Sequence, residues 1–342
     1  MKNPDARLYL LSACLCALML SDCGESQHPV GLTGAILPGT AVAAHPSDRR
    51  SWMAPEAKEI KRLLYASDWD ANDVKVYNYD TGKEIGTLGG FSEPVGQCVD
   101  KLGDVWITNL MQDYIVEYPH GGTSPIKTLS TDGSGIGCAI DPTTGNLAVV
   151  NAIPSGGTDV QIWEDSSGSP TDYSDDTDCY HLSSPGYDAA GDLYAESGNR
   201  RSVCELPAGG ASLVKVPFDQ PIKVGGGVMW DGKYLTFTDQ GYERGRATVI
   251  YRARRARGGL VVVGMTVIRN RPCGAQVGQP FIVGKKNTPA NHEQGTVVVG
   301  GNTACYYTSP VQYWHYPSGG HPFKHVRPQP GLARGQSVSI AE

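Results

Sequence analysis

The chain has 342 residues, of which 40% are hydrophobic and 19% charged, a composition that predicts a globular protein with a substantial core. Its 43 Gly and 23 Pro stand against only 5 Phe, which favours a turn-rich all-β fold over a helical one. The net charge of −6 argues against a nucleic-acid partner, because such partners require a basic surface.

The N-terminal segment predicts export. Lys2 and Arg7 precede an apolar run over residues 8–20, which suits a signal-peptide core and is shorter than the roughly 20 residues that span a bilayer. Residues 20–23, LSDC, resemble the lipobox of bacterial lipoproteins, in which the cysteine is lipidated. We therefore predict a signal peptide over residues 1–23 and a lipid anchor on Cys23. Asp22 departs from the lipobox pattern, and a freely secreted protein is the alternative.

Residues 24–62 are predicted to be a tether. Gly, Pro, Ser and Ala dominate its first part, and large apolar side chains are scarce before Trp52. The charged stretch that follows, Glu56 to Leu63, forms either a short helix or the approach to the first strand.

A two-strand phrase then begins at Leu64 and recurs along the rest of the chain. Its first copy, LYASDWDANDVKVYNY over residues 64–79, has β-branched and aromatic runs on either side of an Asn/Asp loop, the signal of a hairpin. The first strand of the phrase recurs at residues 105–109, 147–151, 193–197, 234–239 and 297–302. The second strand recurs near Tyr114, Val160, Ser202, Thr248 and Val311.

Two further phrases flank these hairpins. Before the first strand come a small residue, a few apolar residues, Asp and a Gly turn, with the Asp at positions 100, 141, 188 and 231. After the second strand comes a Pro and Gly-Gly segment, as at Tyr118, Leu206 and Tyr316. Spacings of 41, 47 and 43 between the Asp residues are typical of a propeller or a solenoid. The pattern predicts four strands per repeat.

The repeats predict an all-β, six-bladed β-propeller of four-stranded blades over residues 63–342. The first repeat lacks a leading strand, whereas the end of the chain, GLARGQSVSIA, has one with nothing after it. We expect Gln336 to Ala341 to supply the innermost strand of blade 1 and so close the ring. The predicted blades cover residues 63–92 with the C-terminal strand, 93–131, 132–182, 183–219, 220–272 and 273–330.

The repeats LYASDWDANDVKVY and DLYAESGNRRSVCEL resemble those of NHL-repeat propellers, and the likeness covers about 280 residues. YWTD and gluconolactonase-like propellers share the outline. Because propellers serve as scaffolds, receptors and enzymes, this resemblance implies the fold and leaves the function open.

Six cysteines follow the signal segment, which in an exported protein allows three disulfides. Equivalent repeat positions predict the pairs Cys179 with Cys204 and Cys273 with Cys305. Cys98 and Cys138 are left to pair with each other. Their different distances from Asp100 and Asp141 suggest opposite faces, so buried free thiols are the alternative for these two.

The first strands of the repeats should end at one mouth of the channel, where polar residues gather. Two loop aromatics, Trp69 and Tyr242, accompany them and complete the predicted binding residues. The predicted set is Asp68, Trp69, Asn109, Asn151, Glu196, Asp239, Tyr242 and Asn302. The strand-end oxygens suit a hard cation or a polar ligand. The alternative is structural, since Asp and Asn end strands by bonding their own backbone.

No catalytic residue is predicted, and an enzyme is the second hypothesis. Gluconolactonase-like propellers, which this chain resembles in fold, bind a divalent metal in the channel through Glu and Asn/Asp near the leading strands. Here the leading segments lack the Asn-Gly of that family, and only Glu93 matches its ligands. No cofactor is therefore expected, although a divalent cation is possible.

Two basic groups of residues have surface interpretations. The Arg run from Arg244 to Arg257, with Arg200 and Arg201, is either a solvated outer edge or a patch for an anionic partner. His315, His321 and His325 in the last blade favour surface positions over a metal site.

Together these features predict a non-catalytic, exported and lipid-anchored binding or scaffold module of the cell envelope. Its expected partner is a protein or a glycan, which binds to one loop-rich face. The alternative is a metal-dependent hydrolase or lyase of the gluconolactonase-like type.

Overall fold

The computed structural model describes residues 50–154, 156–174, 177–197, 202–271, 273–284, 295–304, 310–327 and 333–340. The predicted signal peptide, Cys23 and most of the tether lie outside these ranges, as do Cys305, Arg200 and Arg201.

Six antiparallel sheets form the blades of a β-propeller, as the repeats predict. Strands are numbered in chain order and blades are given from the innermost strand outwards. Blade 1 contains β25 (Ala333–Ile340), β2 (Arg62–Asp68), β3 (Asp73–Asn78), β4 (Glu84–Leu88) and β1 (Trp52–Met53). Blade 2 contains β5 (Pro94–Val99), β6 (Val105–Asn109), β7 (Tyr114–Tyr118) and β8 (Lys127–Ser130). Blade 3 contains β9 (Ser134–Ile140), β10 (Leu147–Ile153), β11 (Gly157–Trp163) and β12 (Thr171–Tyr173).

The second half of the ring repeats this order. Blade 4 contains β13 (Gly186–Tyr187), β14 (Leu193–Glu196), β15 (Ser202–Leu206) and β16 (Val214–Pro217). Blade 5 contains β17 (Gly225–Trp230), β18 (Leu235–Asp239), β19 (Ala247–Ala256) and β20 (Gly259–Arg269). Blade 6 contains β21 (Phe281–Val283), β22 (Val297–Gly301), β23 (Val311–His315) and β24 (Lys324–His325). Within the described ranges, short 3₁₀ turns cover Pro55–Glu59, Glu164–Ser166 and Tyr242–Gly245.

The C-terminal strand closes the ring, which confirms the predicted closure. β25 pairs antiparallel with β2, with Leu64 opposite Val338 and Ala66 opposite Gln336. β25 thus covers the edge of β2 that would otherwise be exposed, and each sheet has its innermost strand facing the channel, where its edge is protected.

Residues just before Arg62 also belong to the propeller, although the sequence grouped them with the tether. Trp52 pairs with Thr87 and adds β1 as a fifth, outermost strand of blade 1. The 3₁₀ turn at Pro55–Glu59 buries Ala57. His120 in blade 2 contacts both this segment and the closing strand, through Ile60 O at 2.8 Å and Ser339 Oγ at 2.6 Å.

Apolar side chains fill the spaces between neighbouring blades. Trp106 of blade 2 and Trp163 of blade 3 are buried in one such cluster, together with Cys98 and Cys138. Phe218 and Phe237 pack with ring centroids 4.9 Å apart between blades 4 and 5. Burial of these large rings from two adjacent sheets stabilises the stacking of the blades.

The innermost strands approach one another at a narrow waist, where five of the six blades contribute a Gly or Ser. A Cβ on Gly96 would lie 2.4 Å from Gly137 Cα, and one on Gly335 would lie 1.5 Å from Val95 O. The six waist residues are Gly335, Gly96, Gly137, Ser184, Gly227 and Gln279. This close approach explains why a small residue precedes the repeated Asp in the sequence.

Two disulfides join the described cysteines as predicted. Cys179 and Cys204 have Cα atoms 5.7 Å apart, and Cys98 and Cys138 have Cα atoms 5.6 Å apart. The sequence suggested that Cys98 and Cys138 lie on opposite faces of their strands, and this arrangement is what allows them to bond. Blades stack face to back, so side chains on opposite faces of consecutive innermost strands point at each other. Cys273 is also disulfide-bonded, but its predicted partner Cys305 is not among the described residues, and that pairing stays a prediction.

Candidate functional site

The channel widens into a cavity at each end. The mouth cavity, of about 560 Å³, lies where the second strands of the blades end, and its walls include Trp69, Glu196 and Gln240. The far cavity, of about 500 Å³, lies at the opposite end, where Asp100 and Asp141 follow the innermost strands. The predicted mouth therefore exists as a cavity large enough for a small ligand.

The six strand-end residues of the predicted site do surround this end of the ring, but all of them are buried. Each has a relative exposure of 3% or less: Asp68, Asn109, Asn151, Glu196, Asp239 and Asn302. They lie beneath the rim, where they have backbone and side-chain partners. Their role in ligand binding stays a prediction.

Three of these residues share one structural role. The Oδ1 atom of Asn109 accepts a hydrogen bond from Ser92 N at 3.1 Å, and that of Asn302 accepts from Gln276 N at 3.0 Å. Asp239 Oδ1 accepts from Val224 N at 2.9 Å. In each case the donor belongs to the segment that leads into the innermost strand of the same blade. These side chains fix the entry of the chain into the channel wall.

Asn151 and Asp68 hold other parts of the rim. Asn151 Nδ2 donates to Asp159 Oδ1 and Gln161 Oε1, both at 3.1 Å, and so joins β10 to β11. Asp68 Oδ1 accepts from Ala71 N at 3.1 Å within the loop that follows β2.

Glu196 lines the mouth cavity and connects blade 4 to blade 5. Its Oε2 accepts from Ser183 Oγ at 3.0 Å and from Gly226 N at 2.7 Å, and its Oε1 accepts from Thr238 N at 2.8 Å. Burial raises the pKa of Glu196 to about 8, and these three donors oppose the rise. Both oxygens are therefore engaged in holding two blades together.

The accessible surface of the mouth is formed by other side chains. Trp69, predicted as a binding residue, lines the cavity and is half-buried. Lys223 is an exposed cationic group on the wall, His181 is an exposed imidazole, and Ser183 and Thr303 add hydroxyl groups. Tyr242, the other predicted aromatic, packs instead against the core between blades 4 and 5. The mouth combines an indole face with hydrogen-bonding groups and one ammonium group.

A Gly-Gln pair occurs near the waist on blades 1, 2 and 6, and the three Gln side chains point in two ways. Gln97 donates to Ser67 Oγ at 2.8 Å, and Gln336 accepts from Gly301 N at 2.8 Å, so both reach the neighbouring blade. Gln279 Nε2 instead donates to Ile136 O at 3.0 Å. Sequence analysis missed Gln279, although the repeated Gly-Gln at 96–97, 278–279 and 335–336 marks these positions.

Carboxylates gather at the far end. Asp100, Asp104 and Glu117 form the one group of three within the described ranges whose ligand atoms lie within 4.8 Å of one another. Burial raises the pKa of Glu117 to about 7, the Lys127 ammonium lowers it, and Asp100 and Asp104 raise it. Lys127 Nζ lies 3.7 Å from Glu117 Oε2. Asp100 Oδ1 accepts from Leu102 N and Asp104 N, which is turn chemistry.

Apart from Arg200 and Arg201, which are outside the described ranges, the basic groups noted in the sequence are mostly exposed. Arg255 is exposed and forms an ion pair with Glu205 at 2.7 Å, and Arg254 is exposed on β19. His315, His321 and His325 are exposed, and the His315 ring stacks on Phe323 with centroids 4.3 Å apart.

No protein-family model and no curated protein sequence matches this chain. Solved structures do resemble it. A protein of unknown function from Bacteroides caccae has a TM-score of 0.58 at 12% identity, covering 82% of this chain and 100% of the other. A chain of a nidogen/laminin complex has a TM-score of 0.58 at 14% identity, covering 82% and 99%. Hydrazine synthase from Kuenenia stuttgartiensis has a TM-score of 0.53 at 14% identity, covering 82% and 80%. These likenesses show the propeller fold.

The disulfides add information about the compartment. Cys98–Cys138 and Cys179–Cys204 indicate an oxidising, extracytoplasmic environment. A bilayer-spanning helix is not found in the part of the chain that the structure describes.

Proposed function

We propose that this protein is an exported, lipid-anchored binding module of the NHL-like type that holds a glycan at the mouth of its channel. The observation that carries the proposal is the lining of the 560 Å³ cavity. An indole (Trp69), hydroxyl groups (Ser183, Thr303) and amides (Gln240, Gln279) converge there.

This lining suits the chemistry of a sugar. The C–H face of a pyranose stacks on an indole ring, and its hydroxyl groups exchange hydrogen bonds with amides and hydroxyls. Pockets of this volume commonly bury most of a small ligand and orient it with a few polar groups. Lys223 additionally favours a glycan that carries acidic groups.

A binding role also agrees with how the buried acids of the mouth are used. Both oxygens of Glu196 accept hydrogen bonds from neighbouring chain segments, and Asp239 Oδ1 accepts from two backbone N–H groups. These contacts maintain the walls of the cavity. Export and a lipid anchor at Cys23 are supported by the signal-like N-terminal segment and the two disulfides.

The test is a glycan array that includes bacterial envelope polysaccharides, probed with labelled mature protein. We expect Trp69→Ala to weaken binding about tenfold or more, because the stacking surface is lost. Trp52→Ala is the matched control, since Trp52 is 49% exposed on the outermost strand of blade 1, away from the mouth. Equal losses in both variants, or no binding to any glycan, would refute the proposal.

A chelator separates this function from the metal-dependent alternative. Binding through the mouth lining should persist in excess EDTA. Binding that disappears with EDTA and returns with calcium would favour the hydrolase or lyase.

A further inference from the structure

The mouth and far cavities are two halves of one channel. Along the innermost strands, earlier residues line the mouth cavity and later ones line the far cavity, as with Val95 and Gln97 on β5. Two residues line both cavities, Ser184 and Gln279. The two halves therefore meet at the level of these two side chains.

Gln279 extends across the channel at this level. It precedes β21 of blade 6, and its Nε2 donates to the backbone oxygen of Ile136 on β9 of blade 3, at 3.0 Å. Blades 3 and 6 are opposite each other in a ring of six. The side chain thus forms a crossbar between facing walls.

Strand register explains why Gln279 alone of the three Gln takes this path. Gln97 and Gln336 each follow a waist residue, Gly96 or Gly335, by one position. Gln279 instead bridges Gly335 directly, so it lies at the waist itself, where the other five blades carry Gly or Ser.

We propose that the Gln279 crossbar closes the channel at its waist, so that the mouth is a blind cavity that recognises the end of a glycan chain. The inference rests on the proposed function. A polymer can enter a blind cavity only by a terminus, whereas an open channel would also admit a threaded chain. The floor offers the Gln279 amide and the Ser184 hydroxyl, both neutral, which suits the hydroxyl groups of a terminal sugar.

The crossbar itself is tested without any ligand, by solvent exchange of side-chain amides in protein labelled with ¹⁵N-glutamine. Gln279→Ala identifies the Gln279 signal by its loss. Gln240 is the matched control, because its Nε2 donates to Gly225 O at 3.0 Å beside the same cavity without crossing the channel. We expect exchange at Gln279 to be about tenfold slower than at Gln240. Equal rates would overturn the crossbar.

End recognition is tested with chitooligosaccharides from chitobiose to chitooctaose, either free or capped at both ends with a bulky aromatic group. The affinity of the wild-type protein should stop rising with chain length once the blind cavity is filled, and capping should weaken this affinity about tenfold. In Gln279→Ala, affinity should continue to rise with chain length. Trp52→Ala, on the outermost strand of blade 1, should retain the wild-type limit.

The outcomes separate the two ideas. Capped and free chains that bind wild-type protein equally would overturn end recognition while leaving glycan binding intact. Failure of every chain to bind would refute end recognition for this glycan, and the array decides the proposed function. The crossbar is decided in either case by amide exchange.

Discussion

The waist and the mouth of this propeller are only a few residues apart along each innermost strand, yet different forces specify them. Steric packing specifies the waist, because Gly335 and Gly96 lie where a Cβ would collide with the next blade. Hydrogen bonds specify the mouth, because Asn109, Asp239 and Asn302 bind chain segments to strand ends. A repeated small residue can therefore mark a steric limit, and a repeated polar residue can mark a structural hydrogen bond.

Substitution at the waist should give the largest loss of stability. Gly335→Ala places a methyl group 1.5 Å from Val95 O, a backbone atom that cannot move without shifting β5. We expect the free energy of unfolding to fall by more than about 3 kcal/mol, above most overpacking substitutions. Urea denaturation measures it.

Gly278→Ala is the control for this substitution. A Cβ there meets the Gln240 side chain at 3.5 Å, an ordinary contact. Similar losses in Gly335→Ala and Gly278→Ala would show that close packing does not define the waist.

At the mouth, Asp239→Ala removes the acceptor of two backbone N–H groups, those of Val224 and Gly241. We expect a loss of about 2 kcal/mol in the free energy of unfolding, because these donors lose their partner. Asp239→Asn keeps Oδ1 and should recover most of it. If Asp239→Ala were as stable as wild type but lost glycan binding, the residue would be a ligand contact and not a structural tie.

The smallest effect concerns Glu117, which lines the far cavity beyond the waist. Its pKa is raised to about 7 from an ordinary value of 4.5, chiefly by burial. Between these values Glu117 binds more protons in the folded protein than in the unfolded chain. The contribution of Glu117 to the free energy of unfolding therefore falls as pH rises from about 4.5 to 7.

Glu117→Gln should reduce the change in the free energy of unfolding between pH 5 and 7.5 by about 1 kcal/mol, as measured by urea unfolding at each pH. An unchanged slope would mean that Glu117 titrates normally in the folded protein.

Much of the fold was predictable because the repeats record it. Six hairpin phrases and an unpaired leading strand at Gln336 were enough to predict six blades and their closure by β25. The waist explains the small residue that precedes Asp100 and Asp141, a regularity that the sequence showed without its cause. The pairing of Cys98 with Cys138 followed by elimination, and only the face-to-back stacking of blades explains it.

The site was less predictable, because it depends on how blades contact one another. Strand-end positions located the mouth and Trp69, but a pattern within one repeat cannot show that Asn109 or Asn302 lies buried beneath the rim. Gln279 crosses the channel from the waist itself, because the Gly-Gln pair of blade 6 lies one residue out of register with those of blades 1 and 2. The repeated letters alone do not show this shift of register.

The antiparallel pairing of Arg62 with Ile340 joins segments separated by nearly the whole propeller. During synthesis, β2 must therefore emerge long before the strand that completes its sheet. Until β25 arrives, β2 presents an open edge on which other chains can pair. We expect chaperone protection to matter most in this interval, and protein lacking residues 333–340 to aggregate even though five blades are already encoded.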